Sequence, residues 1–272
     1  MSGGRKESRW KRLLRAYRCP EPQVARRQLR EWYGRSLGQA LLLAEREQLD
    51  EVLPNLFGYH LLQVGAPVPV DLVSESRVSH CMVLEDLPHE PAPVPGHHCM
   101  YGEAASLPFA SDSLDVLVLP HTLEFEPSPH QVLREADRTL VPEGHVVILC
   151  FNPWSLWGLW RLLVGWRHHA PWCGRFYTPS RLKDWLALLG FDTILARGYF
   201  FRPPIEHPGI MQRLHFLERA GQRWWSFFGG GFMLVARKRV TTLTPIRPRW
   251  RSERTRLMPG RISQAGLRRH KS

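Results

Sequence analysis

Two polar segments, each following an apolar run, combine residue types that can do chemistry. His121 and Glu124 lie three residues apart after a run that ends at Leu119, and Asn152 follows a second such run. A histidine titrates near neutrality, so His121 could take a proton from a reacting group while Glu124 orients its ring. The alternative is that His121 bonds to the backbone and shapes a pocket, with Glu124 facing solvent.

The elements around these residues have the pattern of a doubly wound α/β sheet. Residues 114–119 form a short apolar run rich in β-formers, typical of a parallel strand buried on both faces, and Pro120 ends it. Residues 129–140 have apolar side chains at helical spacing, and residues 142–144 predict a turn into a second buried strand, 146–151. Ligands collect outside the carboxyl ends of parallel strands, so the loops after both strands are candidate site loops.

Three motifs in order resemble a known family. GEAASLPF, SLDVLVLPHTLEF and VLREADRTLVPEGHVVIL are similar to the later motifs of class I S-adenosylmethionine-dependent methyltransferases, in the branch acting mostly on small molecules. TPSRLKDWLALLGFDTILARGYF resembles the late helix and sixth strand, and GGGFMLVARKR the terminal strand. The similarity is strongest to a bacterial group with PHTLE and FNPWSLWG segments. It implies a Rossmann-like, doubly wound, mostly parallel seven-stranded sheet with an antiparallel last strand, and S-adenosylmethionine as cofactor.

The resemblance also implies cofactor contacts after the first two strands, where this chain departs from the family. The first strand is normally followed by a glycine-rich loop, of which only Gly65 remains. Pro67 and Pro69 fix the backbone there and remove two hydrogen-bond donors. Glu85 matches the carboxylate that accepts hydrogen bonds from the ribose hydroxyls, and the alternative is an ordinary acidic loop.

Further along the chain, the resemblance implies the adenine and methyl-donor contacts. Glu103 and Ala104 match the acidic-small pair in which the acid faces the adenine amino group and the small residue leaves room for the ring. Pro120 and His121 match the loop that meets the methyl donor, where His121 could take a proton from the acceptor. Methyl transfer depends mainly on holding donor and acceptor in line, so many such enzymes need no strong base.

The tryptophan-rich segment after the second apolar run is predicted to form the acceptor pocket. Asn152 resembles the start of the Asn-Pro-Pro-aromatic box of enzymes that methylate DNA or protein, but that box follows the fourth strand and this one the fifth. Asn152 is therefore predicted to be a turn residue at the pocket rim, and Trp154 and Trp157 a lid or substrate wall. The alternative is that the tryptophans simply pack.

Charge divides the chain into three parts. The net charge is +12; residues 1–30 hold ten Lys and Arg against two Asp and Glu, and residues 241–272 hold nine against one, which leaves −4 for residues 31–240. We predict a basic extension over residues 1–29, the methyltransferase-like domain over 30–240 and a basic, disordered tail over 241–272. Basic terminal segments of this kind predict non-specific contact with polyanions rather than a nucleic-acid substrate.

The chain is predicted to be cytoplasmic. Residues 146–166 are almost entirely apolar, but Asn152, Pro153 and Arg161 interrupt them, so we predict no transmembrane span and leave an interfacial helix in peripheral membrane contact as the alternative. No secretory signal is visible. The five cysteines are odd in number and lack a CxxC pair, which predicts reduced thiols, and no histidine spacing predicts a metal site.

Together these patterns predict an enzyme that transfers a methyl group from S-adenosylmethionine to a small or lipid-like acceptor. The alternative is a catalytically silent methyltransferase-like protein that binds a partner or a polyanion through its basic ends and its tryptophan segment. The proline-rich first loop is the main support for that alternative.

Overall fold

A computed structural model of the chain describes residues 21–65, 72–85, 98–164, 169–205, 218, 221 and 226–239. Pro67, Pro69 and both basic terminal segments, 1–20 and 240–272, lie outside these residues. The strands are β1 (His60–Val64), β2 (His80–Glu85), β3 (His98–Tyr101), β4 (Leu114–Pro120), β5 (Leu140–Phe151), β6 (Phe191–Tyr199) and β7 (Gly231–Lys238). The helices that lie wholly within the described residues and have four or more residues are α1 (Pro22–Tyr33), α2 (Ser36–Val52), α3 (Pro129–Thr139), α4 (Leu156–Val164) and α5 (Pro179–Leu188).

The strands form a seven-stranded sheet in the order β3-β2-β1-β4-β5-β7-β6. All pairs are parallel except β5 with β7 and β7 with β6, so the predicted doubly wound sheet with an antiparallel last strand is confirmed. The strand order reverses between β1 and β4, and doubly wound sheets bind ligands at the carboxyl ends of the strands at this point. Gly65 follows β1 and His121 follows β4, so both residues lie at the switch point.

Two apolar cores cover the two faces of this sheet. Successive residues of β4 and β5 enter opposite cores, as Val116 and Leu117 do, which is why both strands are apolar almost throughout. The stripe predicted on α3 is confirmed, because Val132, Leu133 and Ala136 are buried in one of these cores. Full burial of each large aliphatic side chain stabilises the fold by about 1.5–3 kcal/mol.

The structure differs from the sequence expectations at three places. Residues 142–144 are a bulge within β5 rather than a turn before it: Leu114 pairs with Leu140, but Val116 pairs with His145. A Cβ on Gly144 would lie 2.9 Å from the Val141 carbonyl oxygen, so this bulge needs glycine. The domain boundary predicted at residue 30 falls inside α1, whose Ala25, Leu29, Trp32 and Tyr33 are buried in the core.

The third difference concerns the cysteines. Cys173 is disulfide-bonded, so the expectation of five reduced thiols is wrong for this residue. Cys81, Cys99 and Cys150 carry free thiols.

Candidate functional site

The predicted cofactor residues share one edge of the sheet. β1 and β2 run parallel, with Val64 paired to Leu84, so Gly65 and Glu85 are neighbours at the carboxyl ends of the two strands. Glu85 in turn pairs with Tyr101 at the end of β3, two residues before Glu103. The carboxyl ends of four parallel strands therefore bring the residues proposed for the methionine, ribose and adenine contacts to a single edge.

Gly65 retains the backbone geometry of a close-approach glycine. Its φ is +81°, in the left-handed region, and a Cβ at this position would meet no atom of the described residues within 4 Å. Its N–H donates to the Leu84 carbonyl at 2.7 Å, and the Gln63 side-chain amide donates to its carbonyl at 3.0 Å. The Thr122 hydroxyl donates to the Val64 carbonyl at 2.8 Å and so ties the β4 loop to the end of β1. The switch point therefore has open space beside a fixed backbone.

Helix α1 lies against the ribose end of this edge. Arg30 forms an ion pair with Glu85, at 2.9 Å between Nη2 and Oε2, and Arg26, one turn earlier, pairs with Glu126 after β4. Both pairs are largely buried. The carboxylate predicted to bind the ribose hydroxyls is thus bound to a guanidinium in this arrangement. Arg26 and Arg30 were not predicted from the sequence, where their four-residue spacing on a helix was the only signal.

The predicted adenine contacts line a cavity of about 550 Å³. Glu103 is exposed at its rim, whereas Ala104 is only 2% exposed and forms part of its floor. Glu126 closes one side, and the start of α1 at Pro22 closes another. The volume is within the usual range for small-molecule sites, and a residue larger than alanine would reduce it. Gly65, Glu85 and His121 do not line this cavity.

His121 has an enclosed ring between two carboxylates. Its Nδ1 lies 2.9 Å from Oε1 of Glu124, and its Nε2 lies 2.8 Å from Oε1 of Glu45 on α2. All three side chains are fully buried. The backbone φ of His121 is +51°, a left-handed value that the two ring contacts and a hydrogen bond from its N–H to the Leu149 carbonyl hold in place. The β4 loop is therefore fixed through this side chain.

The charge of His121 follows from this environment. Burial by itself lowers the pKa of the imidazole, but the carboxylates of Glu124 and Glu45 outweigh it and raise the pKa from 6.5 to about 10. His121 is then a cation at neutral pH, with both ring nitrogens donating. No ring nitrogen is available to accept a proton, so the placement favours the pocket-shaping alternative over the general base.

Tyrosine hydroxyls complete the cluster. Tyr33 of α1 donates to the Glu45 carboxylate at 2.9 Å, and the Tyr199 hydroxyl is 3.5 Å from it. Burial and the nearby Glu45 charge raise the pKa of both phenols, so they remain neutral donors. Glu45 was missed from the sequence, although it lies four residues from both Leu41 and Leu49, on the apolar face of α2. A charged residue in such a stripe was the available signal.

The predicted acceptor-pocket residues differ in exposure and in what they contact. Asn152 is a buried turn residue whose Oδ1 accepts from the Trp154 N–H at 3.0 Å and whose amide donates to the Phe227 carbonyl. Trp157 is 1% exposed and packs against the rings of Trp32, Phe151, Trp172 and Phe200. Trp154 is 61% exposed. The packing alternative thus describes Trp157, whereas Trp154 lies at the surface.

Neither a metal cluster nor a membrane span occurs in the described part of the chain. Its His, Cys, Asp and Glu side chains form no group of three that could hold a metal ion. None of its helices has the length and apolar character needed to cross a bilayer.

Comparison with known proteins identifies the family. A family model described as a methyltransferase domain matches residues 77–148. The uncharacterized protein YafS of Escherichia coli (strain K12) is 32% identical over 213 residues, which cover 78% of this chain and 82% of YafS. The chain belongs to the class I S-adenosylmethionine-dependent methyltransferase family.

Solved structures share the fold of this methyltransferase-family protein. A possible histamine N-methyltransferase from Thermotoga maritima matches with a TM-score of 0.54 and 16% identity, over 77% of this chain and 93% of its own. The [4+2]-cyclase SpnF matches with a TM-score of 0.55 and 16% identity, over 82% and 98%. At such identities the likeness concerns the fold, which hosts more than one chemistry.

The family implies S-adenosylmethionine as the cofactor, and the residues present fit it at the adenine and methionine ends. Gly65 leaves open space beside a left-handed backbone, and the cavity at Glu103 and Ala104 has a suitable volume. Glu85 would hold the ribose once its carboxylate is shared with, or released by, Arg30. When bound, the cofactor supplies an electrophilic methyl group on a sulfonium.

Proposed function

We propose that this protein transfers a methyl group from S-adenosylmethionine to a small or lipid-like acceptor in the cytoplasm. The observation that carries the proposal is that one edge of the sheet holds both the left-handed Gly65 at the switch point and the cavity lined by Glu103 and Ala104. Both features lie at the edge where doubly wound sheets bind ligands.

The chain's own residues would act by positioning. The His121 cluster fixes the β4 loop, and Thr122 ties that loop to β1, so the wall facing the reacting group is rigid. An in-line displacement at a sulfonium gains mainly from such alignment, and an acceptor that is already nucleophilic needs no base. The protonated state of His121 is consistent with a mechanism of this kind.

The lipid-like acceptor is supported by the surface of α4. Every exposed residue of this helix is leucine or tryptophan, among them Leu159 at 58% exposure, and Trp154 extends the same apolar character. A soluble chain rarely leaves the whole solvent side of a helix apolar. The basic segments 1–30 and 241–272 give the chain a positive charge that complements anionic lipid. We propose that α4 docks on an anionic membrane surface.

Cofactor binding is tested by isothermal titration of the full chain with S-adenosylmethionine and S-adenosylhomocysteine. Gly65→Ala should weaken binding at least tenfold, because its Cβ enters the open space. Gly190→Ala is the matched control, since Gly190 has a φ of +85° and similar free space between α5 and β6. Both substitutions carry a similar backbone strain of about 1–2 kcal/mol. Absence of binding by the unaltered chain, or equal binding by both variants, would contradict the proposed site.

Membrane docking is tested separately by co-sedimentation with vesicles of phosphatidylcholine and phosphatidylglycerol. Leu159→Glu should abolish co-sedimentation, whereas Leu188→Glu, at an 85% exposed leucine of α5, should leave it unchanged. Equal binding by the two variants would refute docking through α4. Loss of a dimer in sedimentation velocity with unchanged vesicle binding would show instead that a second copy covers the helix.

The second candidate, a silent methyltransferase-like binding protein, is favoured by one specific observation. Arg30 occupies the Glu85 carboxylate that the cofactor ribose would use. The fold neighbour SpnF, a [4+2]-cyclase, supports the view that this fold does not require methyl transfer. Vesicle binding without binding of either cofactor form would favour this candidate.

A further inference from the structure

A second cavity, of about 900 Å³, lies beside the cavity at Glu103, and Pro127 lines both. Its walls come from the start of α3, from α4, from the segment before α5 and from α5 itself. The loop that begins at His121 leads into α3, so the cavity lies at the carboxyl edge of the sheet. Nothing in the family assignment gives it a ligand.

The lining of this second cavity is strongly basic. Arg134, Arg161, Arg175 and Arg181 contribute four guanidinium groups from α3, α4, the segment before α5 and α5, and His130 adds an imidazole. Among the described residues that line it, none is acidic. Guanidinium groups stay charged at all relevant pH values, so an anion that enters the cavity meets positive charge from several sides. The cavity therefore favours a ligand with concentrated negative charge.

Aromatic rings hold two of these cations in place. The Arg161 guanidinium lies over the Phe176 ring, 5.0 Å from its centroid, and Arg181 lies over Trp185 at 5.1 Å. Trp185 also contacts the ring of His130, with centroids 4.0 Å apart. Stacking restricts the rotamers of long side chains, so less conformational entropy is lost when they bind a ligand. Arg161 and Arg181 are therefore positioned before any ligand arrives.

The first turn of α3 adds a further attraction. Ser128, His130 and Gln131 line the cavity at the beginning of this 11-residue helix. The N-terminus of a helix carries a partial positive charge and directs backbone N–H groups outward. Its field acts here in the same direction as the guanidinium groups.

We propose that this arginine-lined cavity binds the phosphate group of a phosphorylated ligand, either a free small molecule or a lipid headgroup. The planar fork of a guanidinium matches two phosphate oxygens, and four forks around one cavity suit a phosphomonoester or a diphosphate. Pro127 lines both this cavity and the cavity at Glu103, so the two are adjacent. The bound phosphate would therefore anchor the methyl acceptor next to the cofactor site, a role that rests on the proposed function.

The test uses inorganic pyrophosphate as the probe and the full chain in isothermal titration. The double variant Arg134→Gln/Arg175→Gln should lose at least tenfold in affinity, because each guanidinium contributes a charge-assisted hydrogen bond. Arg46→Gln is the matched control: Arg46 is a partly exposed arginine of α2, paired with Asp50. Removing two of the crowded cations relieves repulsion, so the double variant should not unfold at a lower temperature. Should it do so, Arg134→Gln alone serves for the comparison.

Each outcome decides the proposal. Absence of pyrophosphate binding at millimolar concentration, or equal affinity in the double variant and the control, would overturn it. Phosphatidylcholine vesicles with phosphatidic acid distinguish the two sources. The ligand is a lipid headgroup if the protein binds these vesicles, pyrophosphate displaces it from them and the double variant no longer binds them. It is a free small molecule if the protein binds pyrophosphate but not the vesicles. Cofactor titration is separate, so its failure refutes methyl transfer without refuting the phosphate site.

Discussion

Glu45→Gln isolates the charge of the buried His121 cluster. All three partners of Glu45 reach Oε1: Tyr33 at 2.9 Å, His121 Nε2 at 2.8 Å and Tyr199 at 3.5 Å. A glutamine can keep its oxygen in this position, with its amide group facing the Tyr33 hydroxyl oxygen. The substitution therefore preserves shape and hydrogen bonding and removes one negative charge.

The magnitude follows from the titration of His121. Burial lowers its pKa, yet Glu124 and Glu45 together raise the pKa from 6.5 to about 10. At about 1.4 kcal/mol per tenfold change in proton affinity, this shift corresponds to stabilisation on the order of 5 kcal/mol. Loss of one of two carboxylate charges should remove roughly half, so we expect Glu45→Gln to lower the free energy of unfolding by about 2 kcal/mol at pH 6–7.

The sign of the pH dependence follows from the raised pKa. Stabilisation by a group whose pKa is higher in the folded state is complete below its unfolded pKa, here 6.5, and is lost as pH rises through about 10. The difference between the unaltered protein and Glu45→Gln should therefore be largest near pH 6 and should shrink towards pH 10.

Urea denaturation at several pH values measures this difference. Glu51→Gln is the matched control on the same helix, because Glu51 pairs with Arg197 at the surface and should lose less than about 1 kcal/mol. ¹⁵N NMR of the His121 ring should show both nitrogens protonated at pH 8. Equal losses in the two variants, a gap that widens with pH, or a His121 ring that is neutral at pH 8 would refute the reasoning.

Three further predictions concern the cofactor edge and the aromatic core. Glu103→Ala should weaken S-adenosylmethionine binding about tenfold in titration, because the adenine amino group loses its hydrogen-bond acceptor. Thermal stability should not change, because the Glu103 side chain is exposed at the rim of the cavity. Trp157→Ala should lower the free energy of unfolding by about 3–5 kcal/mol, and Trp154→Ala by under about 0.5 kcal/mol in the same urea assay. Arg30→Gln should raise cofactor affinity several-fold, because the guanidinium and the ribose hydroxyls compete for the Glu85 carboxylate. The control Arg27→Gln should leave cofactor affinity unchanged. Weaker binding in Arg30→Gln would show instead that Arg30 positions the carboxylate.

The sheet and the family could both be predicted from the amino-acid sequence. The apolar runs of β4 and β5 and the 3.6-residue spacing of α3 encode burial directly, because a strand covered on both faces and a helix covered on one leave different patterns. Motif order then placed Gly65 and Glu103 at the edge where the structure has them. Asn152 as a turn residue was also predictable, because its type and its position after a strand indicate the local hydrogen bonds.

The contact partners of these residues could not be predicted, because they come from distant parts of the chain. His121 meets Glu45 across 76 residues, and Arg30 meets Glu85 across 55. Periodicity shows that a side chain faces inward but not which distant group it meets, and for an ionisable group that partner sets the charge. The sequence therefore left His121 open as a base or a pocket-shaping residue, and the second carboxylate from α2, which holds the ring as a buried cation, became visible only in the folded chain.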